Sequence, residues 1–293
     1  MFRILWSAYK KTRNFVTSIT GDEVYENMFQ NEKSELNKSK WNVLKFLKLL
    51  SDTFLIKIPM HCPSWMPYPI KLLFFGDNSK YVPDKDSELG TNGECIIFLN
   101  GILYNDTLIE DCRDMLKKSF NKPVNILKNA SDSLVSDLIE SLIGKTTNEL
   151  NEASLVALHT ISNKLIDSNV KKVILICYSQ GTIIAANVLR NLHRLGLDKK
   201  EFLEKLEVYA FACCASKMNY LVDELPYMEH FANDNDYVAA LGCNHGKDVS
   251  DLISIDGKVF VKENKSGHMF NTHYWNNFKN DFPDSKLVNY IIN

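Results

Sequence analysis

Residues Lys172 to Leu189 read KVILICYSQGTIIAANVL, and the organisation of the chain can be built outward from them. The KVILIC run, Lys172 to Cys177, has the length of one strand, and an apolar run without polar alternation suits a strand buried on both faces of a parallel sheet. From Thr182 to Leu195 the spacing predicts a helix that stops at Gly196. Only Tyr178, Ser179, Gln180 and Gly181 lie between, so the chain must turn sharply from strand into helix. Gly181, and beyond it Ala185 and Ala186, are small enough to let that helix pack closely on the sheet.

The neighbouring elements continue the alternation. Upstream, Cys95 to Leu99 (CIIFL) is a second short apolar run, closed by Asn100-Gly101; Thr107 to Phe120 has helical periodicity and Val124 to Leu127 predicts a strand. Ser133 to Ile143 and Glu152 to Ile166 read as helices. Downstream, Leu206 to Cys213 and Glu229 to Ala232 supply two more strands, and Leu252 to Ile255 with Lys258 to Val261 flank Asp256-Gly257, a hairpin turn signal. Strands alternating with helices predict an α/β fold around a mainly parallel sheet.

That domain is expected over residues 91–293, because Tyr81 to Gly93 is turn-like and residues 1–90 have a different texture. Phe2, Ile4, Leu5, Trp6 and Tyr9 mix with Arg3, Lys10, Lys11 and Arg13, and Trp41, Leu44, Leu47, Leu49 and Leu50 recur at near-helical spacing. Residues 1–90 are therefore expected to form an N-terminal helical accessory or lid-like segment. Aromatic side chains beside Lys and Arg suit three roles for its first twenty residues: peripheral membrane contact, a lid, or packing on the main domain.

The 293 residues carry 34 Lys plus Arg against 36 Asp plus Glu, a formal charge of -2, so nucleic acid is not an expected partner. No apolar run approaches the roughly 18 residues needed to span a bilayer. Seven cysteines are odd in number and form no Cys-x-x-Cys pair, and the N-terminus has no small-residue cleavage site. A cytoplasmic location is expected, where the sequons at Asn37, Asn105, Asn129 and Asn264 carry no glycosylation. Cys213-Cys214, read on a strand, would point to opposite faces as ordinary buried thiols. Gly144-Lys145-Thr146 lacks the strand and partner glycine of a phosphate-binding loop, and no His-Glu-x-x-His array is present. No metal or other cofactor is expected.

Ser179 is the candidate nucleophile, against the alternative of a plain turn. A serine on a sharp strand-to-helix turn projects its hydroxyl above the sheet edge, and the helix N-terminus beneath it favours developing negative charge. Here the chain resembles the α/β-hydrolase superfamily, with a lipase or esterase flavour: VILICYSQGTIIAANVL is similar to that family's strand, nucleophile elbow and helix, with Cys177 where glycine is usual. The resemblance implies a triad in the order Ser, acid, His. Asp236, in an Asp-x-Val setting past the Glu229 to Ala232 strand, is the implied acid, with Asp234 as alternative. His268, in the polar loop NKSGHMFNTHYW, is the implied base, with His273 as alternative.

An oxyanion hole is implied at the backbone NH groups of Gln180 and Ile102, with Gly101 and Asn100 shaping the loop; Asn100 stands where the family commonly has His. The implied activity is that of a serine carboxylesterase or lipase, cleaving an apolar, lipid-like acyl ester through an acyl-enzyme. An acyl-protein or acyl-thioester thioesterase is the nearest alternative. The alternative of another class is a noncatalytic module of this fold that docks to a membrane or a protein.

Overall fold

The computed structural model describes residues 79–102, 104, 106–130, 152–244 and 253–292. Strands are numbered in chain order: β1 (Lys80–Val82), β2 (Glu94–Leu99), β3 (Val124–Lys128), β4 (Lys172–Tyr178), β5 (Leu206–Phe211), β6 (Lys217–Met218), β7 (Tyr227–Asn233), β8 (Ser254–Ile255) and β9 (Lys258–Lys262). Seven of them form one sheet in the order β1-β3-β2-β4-β5-β7-β9, in which β1 runs antiparallel to β3 and every other pair is parallel. The helices are α1 (Asp106–Phe120), α2 (Glu152–Ile166), α3 (Gln180–Arg194), α4 (Lys200–Leu203) and α5 (Phe278–Asp281). This is an α/β fold, a mainly parallel sheet flanked by helices.

The apolar runs are explained by cover on both faces. Alternate residues of one strand enter two separate cores: Cys95, Ile97 and Leu99 of β2 pack with α2 and α3, whereas Ile96 and Phe98 pack with α1 and the aromatic C-terminal segment. β4 divides in the same way, Val173, Leu175 and Cys177 against Ile174, Ile176 and Tyr178. A strand with no solvent face has no reason to alternate polar and apolar residues. Because the central strands are parallel, the loops after β2, β4 and β7 leave from one edge of the sheet, where α/β folds place their ligands.

Several elements differ from the sequence reading. Within the stretch read as turn-like, Lys80–Val82 forms an edge strand on β3. The segments flanking Asp256-Gly257 do not make a hairpin: β8 pairs with β6, while β9 pairs with β7, both in parallel. The turn passes the chain from one sheet to the other, held by Leu221 N donating to Asp256 Oδ2 at 3.1 Å and by the His230 ring on Asp256 O at 2.9 Å. An Asp-Gly pair encodes the bend but not the partners of its flanking strands, and β9 is fixed instead by Phe260 stacked on Phe231 at 5.5 Å. Cys213 and Cys214 likewise do not face opposite sides; β5 ends at Phe211, Ala212 has a φ of 48°, and both thiols enter the same core.

Residues 1–78 of the expected accessory segment lie outside the described residues, as do the Ser133 to Ile143 helix and Gly144-Lys145-Thr146. Among the described residues no helix is long and apolar enough to cross a membrane.

Candidate active site

Ser179 stands alone between the end of β4 and the start of α3. Its φ of 53° and ψ of -124° put a non-glycine residue in a sparsely populated region, a strain of about 1–3 kcal/mol that the surroundings must hold. They do so with backbone hydrogen bonds. Ser179 N donates to Phe211 O at 2.9 Å, and the Thr182 amide and hydroxyl donate to Ser179 O at 2.9 and 2.7 Å.

Two glycines allow the close approach. A Cβ on Gly181 would lie 2.7 Å from Leu99 O, and one on Gly101 would lie 2.8 Å from the Cβ of Ser179 itself. Cys177, just before the elbow, is wholly buried, and burial pushes its thiol well above the usual value. It is a packed thiol with little thiolate character.

Around Ser179 the fold assembles a chain of hydrogen bonds. His268 Nε2 lies 3.0 Å from Ser179 Oγ, and His268 Nδ1 lies 2.8 Å from Asp236 Oδ2. A carboxylate accepts, so Nδ1 is assigned as the donor, which leaves Nε2 to accept the serine proton. Asp236 is fully buried; its Oδ1 accepts Val238 N at 2.9 Å and its Oδ2 also accepts the Tyr274 hydroxyl at 2.7 Å. Tyr178 holds His268, its hydroxyl donating to His268 O at 2.7 Å and its ring centroid 5.0 Å from the imidazole. Ser179 is 3% exposed and the His268 side chain 12%, so the chain is largely shielded from water, which strengthens its hydrogen bonds.

Asp234 and His273 are engaged elsewhere. Asp234 is exposed and its carboxylate accepts Asn264 N at 3.4 Å. His273 Nδ1 accepts Met269 N at 3.0 Å, and its ring lies against Gly267.

The loop after β2 is tied down by side-chain amides. Asn100, fully buried, donates from Nδ2 to Gly101 O at 2.8 Å and to Asn129 O at 3.0 Å, and its Oδ1 accepts Asn129 N at 2.9 Å. Asn129 Nδ2 in turn donates to Gln180 Oε1. These contacts join the ends of β2 and β3 to the first residue of α3. Gln180 opens that helix, where first-turn amides lack intrahelical acceptors, and Ile102 follows Gly101 on the loop beside Ser179. Such a place suits negative charge.

Tyr274, Tyr178 and Asn129 carry no local signal of a part in this arrangement. Their partners are Asp236, His268 and Gln180, between 38 and 90 residues away, so neither periodicity nor turn chemistry marks them.

No family model and no curated protein matches the chain. Solved structures similar to it include the following three. A Pyrobaculum calidifontis esterase in a monoclinic form shares 9% identity over 66% of this chain and 76% of that one, at a TM-score of 0.40. The hyperthermophilic esterase from the archaeon Pyrobaculum calidifontis shares 8% over 86% and 91%, at 0.41. An arylesterase shares 11% over 80% and 88%, at 0.36. The chemistry of the site rests on its own geometry.

Proposed function

We propose that this chain is a serine hydrolase that cleaves a carboxylic ester of an apolar acyl group through an acyl-enzyme. The observation that carries the reading is the unbroken chain from Ser179 Oγ to His268 Nε2 at 3.0 Å and from His268 Nδ1 to Asp236 Oδ2 at 2.8 Å. His268 takes the Ser179 proton as the oxygen bonds to the acyl carbon, and Asp236 stabilises the imidazolium. The amides of Gln180 and Ile102 receive the charge on the carbonyl oxygen, where one donor typically contributes about 3–4 kcal/mol. His268 returns the proton to the departing alkoxide, then deprotonates the water that releases the acid. These steps need no metal or cofactor.

Tyr104, packed 5.5 Å from the Tyr178 ring that itself lies 5.0 Å from the His268 ring, supports an apolar acyl group. A fluorophosphonate probe is expected to label the intact protein at Ser179 and not to label a Ser179→Ala variant. Equal labelling of the two removes the reading. Comparing p-nitrophenyl butyrate with a butyryl thioester then decides between ester and thioester.

A further inference from the structure

We infer that Tyr274 is a positioning residue of this site: its phenol holds the Asp236 carboxylate and, through it, sets the strength of the bond between Asp236 and His268. The inference rests on the serine-hydrolase reading above. Tyr274 is fully buried in the π-helical turn Phe270–Trp275, and its hydroxyl lies between two partners. Asn233 N donates to it at 3.1 Å, and Asp236 Oδ2 lies 2.7 Å away. A phenol has one proton and a backbone amide can only donate, so the proton points at the carboxylate. Burial first, and then the charge of Asp236, push the Tyr274 phenol well above its usual range, which keeps it a neutral donor.

Asp236 Oδ2 is therefore shared by two donors, the phenol and the His268 ring. An oxygen that accepts a second hydrogen bond carries less charge toward the imidazole and stabilises the imidazolium less. Tyr274 thus fixes the plane of the carboxylate and competes with the His268 ring for the same oxygen. Other ionisable groups lie near this cluster, Cys243 nearest in its coupling to Asp236 and Tyr274. From beyond β5 and from the turn after β7 come Cys213 and Cys243; hydrogen bonding to Cys213, together with burial, pushes the Cys243 thiol well up. His230 of β7 contacts Cys213, His273 shares the turn of Tyr274 and accepts Met269 N, Tyr178 of β4 bonds His268 O, and Asp234 is exposed next to Asn233.

The test is Tyr274→Phe in the full chain, with p-nitrophenyl butyrate as the probe and kcat/KM followed across pH. The acid limb is expected to move upward by roughly half to one pH unit, because His268 no longer shares Oδ2. With it, kcat is expected to fall about tenfold at unchanged KM. Placing 3-fluorotyrosine at position 274 keeps the ring and the hydroxyl, so folding is preserved, and its stronger donor is expected to move the limb downward. An acid limb that stays at the wild-type position in both proteins overturns the inference at whatever rate, since a packing role alone does not move a titration. NMR titration of the His268 ring reads the same shift without turnover. A protein that hydrolyses no ester but shows these shifts keeps Tyr274 in its role and loses the hydrolase reading instead.

Discussion

At Ser179 the backbone is bent into a conformation that side chains avoid, and its neighbours are chosen for size. Gly101 shows how little room remains: a Cβ there would meet Ser179 Cβ at 2.8 Å and Tyr178 O at 3.1 Å. Neither atom is the end of a flexible side chain, so Gly101→Ala must displace the loop that carries Ile102 or the turn that carries Ser179. A shift of about 1 Å in such a site costs on the order of 100-fold in rate. Gly101→Ala is accordingly expected to lower kcat/KM for p-nitrophenyl butyrate by about that factor, and a wild-type rate would show that the loop yields freely. Ser179 was legible because strand, serine, glycine and helix are contiguous. Asp236 and His268 were legible as candidates only, each beside a rival, because nothing in NDND or GHMFNTH states which side chain turns toward a serine far away in sequence.

Among the elements, β5 shows how strands and the C-terminal segment are held at the edge opposite the site. Glu207, 1% exposed, accepts Lys172 Nζ of β4 at 2.6 Å, Lys286 Nζ at 2.7 Å, the Tyr209 hydroxyl at 2.7 Å and the Tyr290 hydroxyl at 2.9 Å. Burial alone would raise its carboxyl, but these four donors outweigh it and lower the group from the usual 4.5 to about 2. A depressed acid contributes its stability above the unfolded value and loses it as pH falls through the folded one. Resistance to urea unfolding is thus expected to fall from about pH 4.5 down to about pH 2, and Glu207→Gln to flatten that slope. An equal slope in both proteins would place the acid sensitivity elsewhere. The strand itself was readable from its apolar run, but its carboxylate partners were not: Lys286 and Tyr290 lie 79 and 83 residues downstream.

At the scale of the described residues, the site leans on an aromatic core that reaches it through Tyr274, whose ring centroid lies 6.1 Å from that of Phe211. Phe278 packs on Phe211 at 5.5 Å, Phe231 at 5.0 Å and Trp275 at 5.2 Å, joining β5 and β7 to the turn that bears Tyr274. Phe278→Ala is expected to cost about 3–5 kcal/mol of unfolding free energy in urea titrations. A loss within the error of the titration would show that this segment docks without the cluster. The sequence by itself determined the alternation of buried strands and helices and the tight turn at Ser179, since periodicity and small residues are local properties of the chain. Only the tertiary structure decided that β8 and β9 part into different sheets, that His268 rather than His273 lies beside Ser179, that Asp236 rather than Asp234 bonds His268, and that Tyr274 joins them. These choices depend on contacts as far as 89 residues apart, and such contacts form only when a parallel sheet brings its loops to one edge.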